Sequence, residues 1–295
     1  MARAAVADTA IGPMVILAAE QHLPASERVV DDRLARSFLT PSMRIADALM
    51  GWPPAQRWMI RLSDADAVGL WGNLLCRKAY ARAEARRAIV DGIGQVVVFG
   101  AGIDTLACLV PSPAGVPSWE VDLPENIELK RKTVTRALGA VPAHVRLVPT
   151  NFEGDGLADS LAQAGLRLDQ PALFVMEAVS QYLTEEAMNS LLGYLAGAAA
   201  GSRFCFTYVQ KDFFDGTRDF SAASLRQRFV IKQPLWSYAL DPSQVEPLLA
   251  RYGWAVREDL GVDDYHRRFV VPTGRNLTVS DVEHFVGADK SAATR

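Results

Sequence analysis

The sequence has few of the residues that build disulfide scaffolds or zinc sites. Its three cysteines, at positions 76, 108 and 205, form no C-x-x-C pair, and its four histidines show no ligand spacing. We therefore predict no metal site and a reducing compartment. Long apolar runs are also lacking, since the longest near the start, residues 10–19, is too short to span a bilayer and only Arg3 supplies a basic residue before it. We expect neither a secretory signal nor a membrane partner, and a cytoplasmic protein.

An excess of charge of one sign is missing as well. The 31 basic and 34 acidic side chains give a formal charge of −3, so no strong field is available to hold a phosphate backbone. We do not expect a nucleic-acid partner. What the chain does have is a hydrophobic content of 49% in 295 residues, which is enough for one large domain with additions or for two small ones.

The sequence pattern changes near residue 92. Before that point apolar residues repeat at the spacing of a buried helical stripe, as in Leu70, Trp71, Leu74 and Leu75. We interpret residues 1–92 as a helical N-terminal cap region that packs on a core.

The core, residues 93–295, alternates between strands and helices. Gln95–Phe99 is a continuous β-branched and aromatic run, typical of a strand buried on both faces of a parallel sheet. Further strands are predicted at residues 118–122, 145–149, 173–176, 203–209, 254–260 and 267–271. Helices are predicted at residues 124–136, from Glu185 with Thr184 as its cap, and from Asp241-Pro242. This alternation predicts a doubly wound α/β sheet.

An insertion rich in aromatic residues interrupts the core at about residues 210–240. Side chains of this kind suit an apolar pocket closed by a lid. They could equally pack the insertion onto the domain. The aromatic residues are Phe213, Phe214, Phe220, Phe229, Trp236 and Tyr238.

In a doubly wound sheet, ligands bind outside the carboxyl ends of the strands, where the strand order reverses. The first strand ends in Gly100-Ala101-Gly102, where two glycines let the backbone pass close to a ligand. The second strand ends about twenty residues later in Asp122. At this position in nucleoside-binding folds, an acidic side chain accepts hydrogen bonds from the ribose hydroxyls. The glycine turn could instead serve packing alone, Asp122 could cap the helix at Pro124, and Glu120 is a competing acid.

Polar residues also follow the third and fourth strands. After the third, the Asn151 amide could pair with an adenine edge and the Phe152 ring could cover its face, although Asn151 could also simply form a turn. After the fourth comes Glu177, whose carboxylate would face the same crevice. A cationic ligand group would satisfy it, because an isolated buried charge is very costly.

Three blocks, in this order and spacing, carry a family resemblance: VVVFGAGIDT from Val96, EVD-x-P from Glu120, and VMEAVSQYLTEEA from Val175. The chain resembles the leucine carboxyl methyltransferase-like family of S-adenosylmethionine-dependent enzymes, which includes polyketide O-methyltransferases. The resemblance covers roughly residues 10–290. It implies a Rossmann-like class I methyltransferase sheet, S-adenosyl-L-methionine as cofactor, and O-methylation of a small hydrophobic metabolite at a carboxyl or a hydroxyl.

Carried over position by position, the resemblance implies that Arg77 meets the methionine carboxylate, that Asp122 holds the ribose and that Glu177 lies near the methionine end. Asn151 and Phe152 would border the adenine. The implied cofactor-binding set is Arg77, Gly100, Ala101, Gly102, Asp104, Asp122, Leu123, Asn151, Phe152, Glu177 and Ala178.

This chain departs from the family pattern at three positions. Lys78 replaces a threonine, Leu106 replaces an arginine, and Asn151 replaces the usual aspartate. The last change puts the recognition of the adenine amino group in doubt, because an amide must turn its oxygen toward that group.

On residue chemistry alone, Arg77 could also be a solvated cation on a helix surface.

A hydroxyl acceptor profits from a general base, whereas a carboxylate acceptor needs none. His266 is the first candidate because its ordinary pKa lies near neutrality, and Tyr182 and Tyr265 are further candidates. Each of the three could instead be structural.

Two other functions stay open. One is a nicotinamide-dependent oxidoreductase, although Thr105 stands where the fingerprint of that class has a third glycine. The other is a non-catalytic S-adenosylmethionine-binding protein. We also expect a small-molecule acceptor and a homodimer.

Overall fold

The computed structural model describes residues 11–110, 112–151 and 156–291. The longer helices are α1 (Ile11–Glu20), α2 (Pro41–Met50), α3 (Pro53–Asp66), α4 (Leu70–Val90), α5 (Pro124–Leu138), α6 (Leu157–Gln163), α7 (Glu185–Ala196) and α8 (Pro242–Ala250). Short helices span Ala35–Phe38, Leu106–Leu109, Lys211–Asp215, Ala223–Arg226 and Val262–Tyr265. The helices before residue 92 match the helical pattern of that region.

The strands are β1 (Val96–Phe99), β2 (Ser118–Asp122), β3 (Val145–Pro149), β4 (Leu173–Met176), β5 (Arg203–Val209), β6 (Trp254–Leu260) and β7 (Glu283–Lys290). They form one sheet in the order β3-β2-β1-β4-β5-β7-β6. The first five strands pair in parallel, and β7 lies antiparallel between β5 and β6. The prediction of a doubly wound α/β fold is confirmed.

Helices cover both faces of the sheet, which explains why β1 has an uninterrupted apolar sequence. Side chains alternate along a strand, so Val96 and Val98 pack with α1 and α4 in one buried cluster. Val97 and Phe99 belong to a second cluster with α7 and α8. A strand that is apolar on both faces needs such cover on each side.

Local sequence signals set the starts of the helices. The Thr184 side chain accepts a hydrogen bond from the backbone N–H of Ala187 at 3.1 Å and so caps α7 as predicted. At α8, Asp241 accepts from the N–H of Ser243 at 2.8 Å, and Pro242 occupies the first turn. These contacts satisfy N–H groups that have no partner within the helix.

The strand predicted at residues 267–271 is wrong. His266–Val270 forms a π-helix that continues the helix Val262–Tyr265. Tyr265 and Val270, five residues apart, are both fully buried, as a π-helical turn allows. The last strand is instead β7, which the sequence analysis missed.

The aromatic insertion after β5 begins and ends at one place. The Lys211 N–H donates to the Leu240 carbonyl at 2.9 Å, and the Leu240 N–H donates to the Val209 carbonyl at 3.0 Å. Between these ends lie two short helices and a π-helix, Gln227–Lys232.

In the described part of the chain, no helix has both the length and the apolar character that crossing a membrane requires.

Candidate active site

A cavity of about 590 Å³ opens at the carboxyl ends of β1 and β4, where the strand order reverses. This volume lies within the usual range for small-molecule and cofactor sites. Its walls come from α1 and α4, from the segments after β1, β2, β3 and β4, from the insertion and from the start of β7. The structure therefore brings together parts of the chain that are far apart in sequence.

The glycine turn after β1 forms the floor of the cavity. Gly100 and Gly102 have φ angles of +63° and +45°, in the region that favours glycine. A Cβ atom on Gly100 would lie 2.2 Å from Cγ2 of Val179, which also lines the cavity. Gly100 is thus required both by its backbone conformation and by the space available.

Asp122, at the end of β2, organises the neighbouring wall. Its Oδ2 accepts a hydrogen bond from the N–H of Gly102 at 2.7 Å, and its Oδ1 accepts from the N–H of Leu123 and from Nδ2 of Asn126, each at 2.7 Å. Three donors hold the carboxylate in one orientation. A carboxylate has about four acceptor positions, so one remains for a ligand donor.

The turn after β4 contains a backbone outlier. Ala178 has a φ of +59°, which costs a residue with a Cβ roughly 1–3 kcal/mol. Its N–H donates to Oγ1 of Thr207 at 2.7 Å. The turn places Glu177 and Val179 in the cavity wall. Such strain is concentrated at binding and catalytic sites.

A buried network of charges joins α4 to these turns. Nε of Arg77 lies 3.1 Å from Oε1 of Glu177, and its guanidinium also pairs with Glu283 at the start of β7. Lys78 pairs with Asp104 and again with Glu177. Burial opposes the charged form of Lys78, but the two carboxylates outweigh it and raise the Lys78 pKa.

A second part of the network lies behind Asp104. Arg82 donates to Oδ2 of Asp32 at 2.6 Å and to Oγ1 of Thr105 at 2.8 Å. Burial disfavours ionisation of Asp104, but the charges of Lys78 and Arg82 outweigh that penalty and hold its pKa below the ordinary value. Asp104 is therefore a carboxylate at neutral pH.

The charges on the cavity wall leave an excess of one negative charge. Among its described lining residues are three cations, Arg77, Lys78 and Arg82, and four carboxylates. Those carboxylates belong to Asp104, Asp122, Glu177 and Glu283. A ligand with a net positive charge fits this balance.

One part of the cavity, which we call the apolar chamber, is lined by side chains of a single hydrophobic cluster. Phe229 and Trp236 of the insertion stack there, with ring centroids 5.2 Å apart and planes at 10°. The chamber residues are Leu70, Tyr182, Leu225, Phe229, Leu235, Trp236 and Val282. An apolar molecule could occupy this space.

The sequence profile of the family described as leucine carboxyl methyltransferase matches residues 10–196. The chain belongs to the leucine carboxyl methyltransferase family. Relatives named "Putative S-adenosyl-L-methionine-dependent methyltransferase" occur in Mycobacteroides abscessus, 28% identical over 237 residues (78% of this chain, 77% of the relative), and in Bacillus subtilis strain 168, 27% identical over 220 residues (73% and 72%).

Solved structures share the fold of this family member. A DUF574 family protein from Streptomyces avermitilis has a TM-score of 0.59 at 15% identity and covers 83% of this chain and 90% of its own. A "putative methyltransferase" from Thermobifida fusca has a TM-score of 0.55 at 15% identity, with 81% and 89% covered. The chain is an S-adenosylmethionine-dependent methyltransferase with a Rossmann-like sheet.

The cavity suits this cofactor. S-adenosylmethionine carries one net positive charge, from a sulfonium, an ammonium and a carboxylate, and the wall has one excess negative charge. Asp122 offers a further contact, because three donors leave one of its acceptor positions for a ligand. The residues present therefore fit the family's cofactor.

Most of the site residues predicted from sequence meet at this cavity. Its wall includes Arg77, Gly100, Ala101, Gly102, Asp104, Asp122, Leu123, Asn151, Glu177, Ala178 and Tyr182. Phe152 lies outside the described residues. The competing acid Glu120 is not part of the described wall, because it is buried against Nζ of Lys130 at 2.7 Å.

The structure does not bring Tyr265 and His266 to the cavity wall. Tyr265 is fully buried beside Cys76, and burial raises its pKa well above the ordinary value, so its hydroxyl stays protonated. His266 follows it in the π-helix and is exposed to solvent. Neither is positioned to take a proton from a ligand in the cavity.

Asn73 and Glu283 are among the polar wall residues that were not predicted from the sequence. Glu283 begins the strand that was not predicted, so no signal could have placed it. Asn73 lies one helical turn before Arg77 and between Leu70 and Leu74. A polar residue within an otherwise apolar helical stripe was a usable signal.

Proposed function

We propose that the protein is an O-methyltransferase that methylates a small hydrophobic metabolite, such as a polyketide, at a carboxyl or hydroxyl oxygen. The observation that carries this proposal is the single cavity of about 590 Å³, in which the glycine turn and Asp122 share a wall with the apolar chamber. A donor molecule and an apolar acceptor could therefore lie in direct contact, closed off from water by the insertion.

The cofactor would lie along α4 and across the three turns. Asp122 would accept a hydrogen bond from a ribose hydroxyl, and Asn151 would border the adenine. Arg77 would bind the methionine carboxylate, and Glu177 would lie near the ammonium. These assignments are supported by the positions of Arg77, Asp122, Asn151 and Glu177 on one cavity wall.

The demand on the protein is mainly one of placement. The sulfonium supplies an already activated methyl group, and alignment of two reactants can contribute roughly 7–11 kcal/mol toward the barrier. The chamber would hold the acceptor oxygen in line with the methyl carbon. Tyr182, in the chamber wall, is positioned to contact the acceptor.

The alternative functions are weighed by the same observations. A nicotinamide-dependent oxidoreductase is not supported, because the chain belongs to a methyltransferase family. A non-catalytic binding protein would not need an apolar chamber beside the cofactor crevice. A homodimer stays a prediction.

The test uses S-adenosylmethionine with an isotopically labelled methyl group and a panel of aromatic and aliphatic acids, phenols and alcohols. We expect mass spectrometry to find the label on oxygen of one chemical class of small hydrophobic acceptor. The Asp122→Ala variant should show no transfer. Labelling of protein carboxyl termini alone, or of nitrogen or sulfur, would contradict the proposal, and bound cofactor without any transfer would favour the non-catalytic function.

A further inference from the structure

The polar groups at the border of the apolar chamber narrow the acceptor to one of its two classes. Resting on the proposed function, we infer that the methylated group is a neutral hydroxyl rather than a carboxylate, and that Glu283 is the general base that takes its proton. The inference depends on two side chains, Asn73 and Glu283, and on the placement of the cations in the cavity wall.

Asn73 presents a hydrogen-bond acceptor whose orientation is fixed. Its Nδ2 donates to the carbonyls of Ser280 at 3.0 Å and Glu283 at 3.2 Å, so both amide hydrogens are used. Turning the amide over would bring its oxygen against two carbonyl oxygens. Oδ1 is buried and has no hydrogen-bond partner among the described residues. A ligand group near Asn73 should therefore be a donor.

Glu283 also offers an acceptor without a partner. Its Oε2 pairs with Arg77, while its Oε1 is buried and has no hydrogen-bond partner within the described chain. The side chain is 7% exposed. Its neighbour Val282 belongs to the apolar chamber. Glu283 therefore pairs with Arg77, lines the same cavity as the chamber residues and directly follows one of them in sequence.

Each cation of the described cavity wall is already paired with at least one carboxylate of the protein. Arg77 pairs with Glu177 and Glu283, Lys78 with Asp104 and Glu177, and Arg82 with Asp32. The described lining of the cavity has no cation besides these three. Trp236 Nε1, in the chamber, is a buried donor without a partner among the described residues, but it is neutral and suits a carbonyl of the acceptor.

A carboxylate acceptor would meet an unfavourable environment here. It would lose its hydration and place its charge beside the carboxylate of Glu283 and the oxygen of Asn73, while the one net positive charge of S-adenosylmethionine is already balanced by the excess negative charge of the cavity wall. A hydroxyl, by contrast, can donate to Glu283 Oε1. The wall therefore selects against one class and satisfies the other.

The proposed step balances in atoms and charge. The acceptor oxygen forms a bond to the methyl carbon while the methyl–sulfur bond breaks and its electron pair returns to sulfur. The hydroxyl proton passes to Oε1 of Glu283, which later releases it to water. We expect the rate contribution to lie near 100-fold, the low end of the range for a general base.

Binding is tested first, with matched aromatic pairs that differ only in the reacting group, such as 2-naphthol and 2-naphthoate. Titration calorimetry is done on the complex with sinefungin, an S-adenosylmethionine analogue that keeps a positive charge in place of the sulfonium. In every pair that binds, the hydroxyl compound should bind at least about tenfold more tightly than the carboxylate. Equal or tighter binding of the carboxylate overturns the inference. If neither compound of any pair binds, the inference is overturned, and so is the expectation that the acceptor is aromatic.

The Glu283→Gln variant then separates a base from a structural partner of Arg77. Methylation of the hydroxyl acceptor should fall about 100-fold in this variant. The carboxylate compound of each aromatic pair should bind more tightly than it does to the wild type. The Kd for S-adenosylhomocysteine should change less than about fivefold. The control Asp289→Asn, a half-exposed acid at the far end of β7, should change none of these. A parallel loss of cofactor affinity and activity would mean that Glu283 only supports Arg77, and would overturn the inference.

The two proposals fail in different ways. Methyl ester formation on carboxylates by the wild-type protein would contradict the hydroxyl acceptor while leaving O-methylation intact. Transfer to nitrogen or sulfur would contradict O-methylation itself.

Discussion

The carboxylate of Asp122 accepts a hydrogen bond from the backbone N–H of Gly102, with 2.7 Å between Oδ2 and the nitrogen. This contact ties the end of β2 to the glycine turn after β1, across twenty residues of sequence. The same carboxylate holds Leu123 and Asn126. Asp122 therefore holds the glycine turn in place, in addition to the ribose contact that we propose for it.

Replacing Asp122 should affect binding and stability together. In Asp122→Asn one oxygen becomes an NH2 group, so at least one of the three donors loses its partner, which costs about 1–3 kcal/mol. The Kd for S-adenosylhomocysteine should rise about 10- to 100-fold, the value of a lost charge-assisted hydrogen bond. Calorimetry and urea denaturation measure the two effects. Unchanged binding would contradict the ribose role, and Asp66→Asn, an exposed acid on α3, serves as control.

Gly100 and Gly115 form a matched pair for the glycine turn. Their φ angles are +63° and +64°, but a Cβ would meet Val179 at 2.2 Å on Gly100 and nothing within 4 Å on Gly115. Gly115→Ala should therefore cost only about 1–2 kcal/mol of backbone strain. Gly100→Ala should cost more and weaken cofactor binding, and adding Val179→Ala should recover part of the stability. Equal melting temperatures for the two single variants would count against the crowding at Gly100.

The buried pair of Arg82 and Asp32 should be sensitive to the loss of one partner. Arg82→Met leaves the Asp32 carboxylate buried without its cation, and breaking such a pair costs about 3–5 kcal/mol. The double variant with Asp32→Asn should be more stable than Arg82→Met alone. Arg86→Met, on an exposed position of the same helix, should be near neutral. Chemical denaturation distinguishes these outcomes, and a double variant no better than the single one would argue against a buried charge.

His284 gives a stability that depends on pH. Burial opposes its charge, but Asp259 and Asp281, each 3.2 Å away, outweigh it and raise the His284 pKa from 6.5 to about 9. The Tyr208 hydroxyl oxygen also lies 3.2 Å from Nδ1 of the ring. A raised pKa in the folded state means that the stabilisation is complete below about pH 6.5 and is lost as the pH rises through about 9.

The His284→Asn variant isolates this effect. The difference in the free energy of unfolding between wild type and variant should be largest near pH 6 and should shrink toward pH 10. Each unit of pKa shift corresponds to about 1.4 kcal/mol. Urea denaturation across this range gives the difference directly. A constant difference over all pH values would mean that the ring contributes by packing alone.

The fold was predictable where burial leaves a mark on short stretches of sequence. β1 and β4 are apolar throughout because helices cover both faces of the sheet. β7, by contrast, begins with Glu283 and ends with Asp289 and Lys290. Its place comes from insertion between β5 and β6, a tertiary contact that no local pattern encodes, while the apolar run after Arg268 drew the prediction to the wrong segment.

The site was predictable to the same extent. The rule for doubly wound sheets indicated Gly100, Asp122 and Glu177, because the carboxyl ends of parallel strands share an edge. That rule also drew attention to His266, just past β6. The helix that follows β6 buries Tyr265 and leaves His266 in solvent. Glu283 became visible only through its pairing with Arg77, some two hundred residues away.

The central claim, that the cavity between β1 and β4 holds S-adenosylmethionine through Asp122, is tested most directly by titration calorimetry. The wild-type protein is titrated with S-adenosylhomocysteine and, separately, with NAD, and the Asp122→Asn variant with S-adenosylhomocysteine. We predict one saturable site for the nucleoside thioether, weakened about 10- to 100-fold in the variant, and no heat with NAD. Saturable binding of NAD alone, or equal affinity in wild type and variant, would contradict the account.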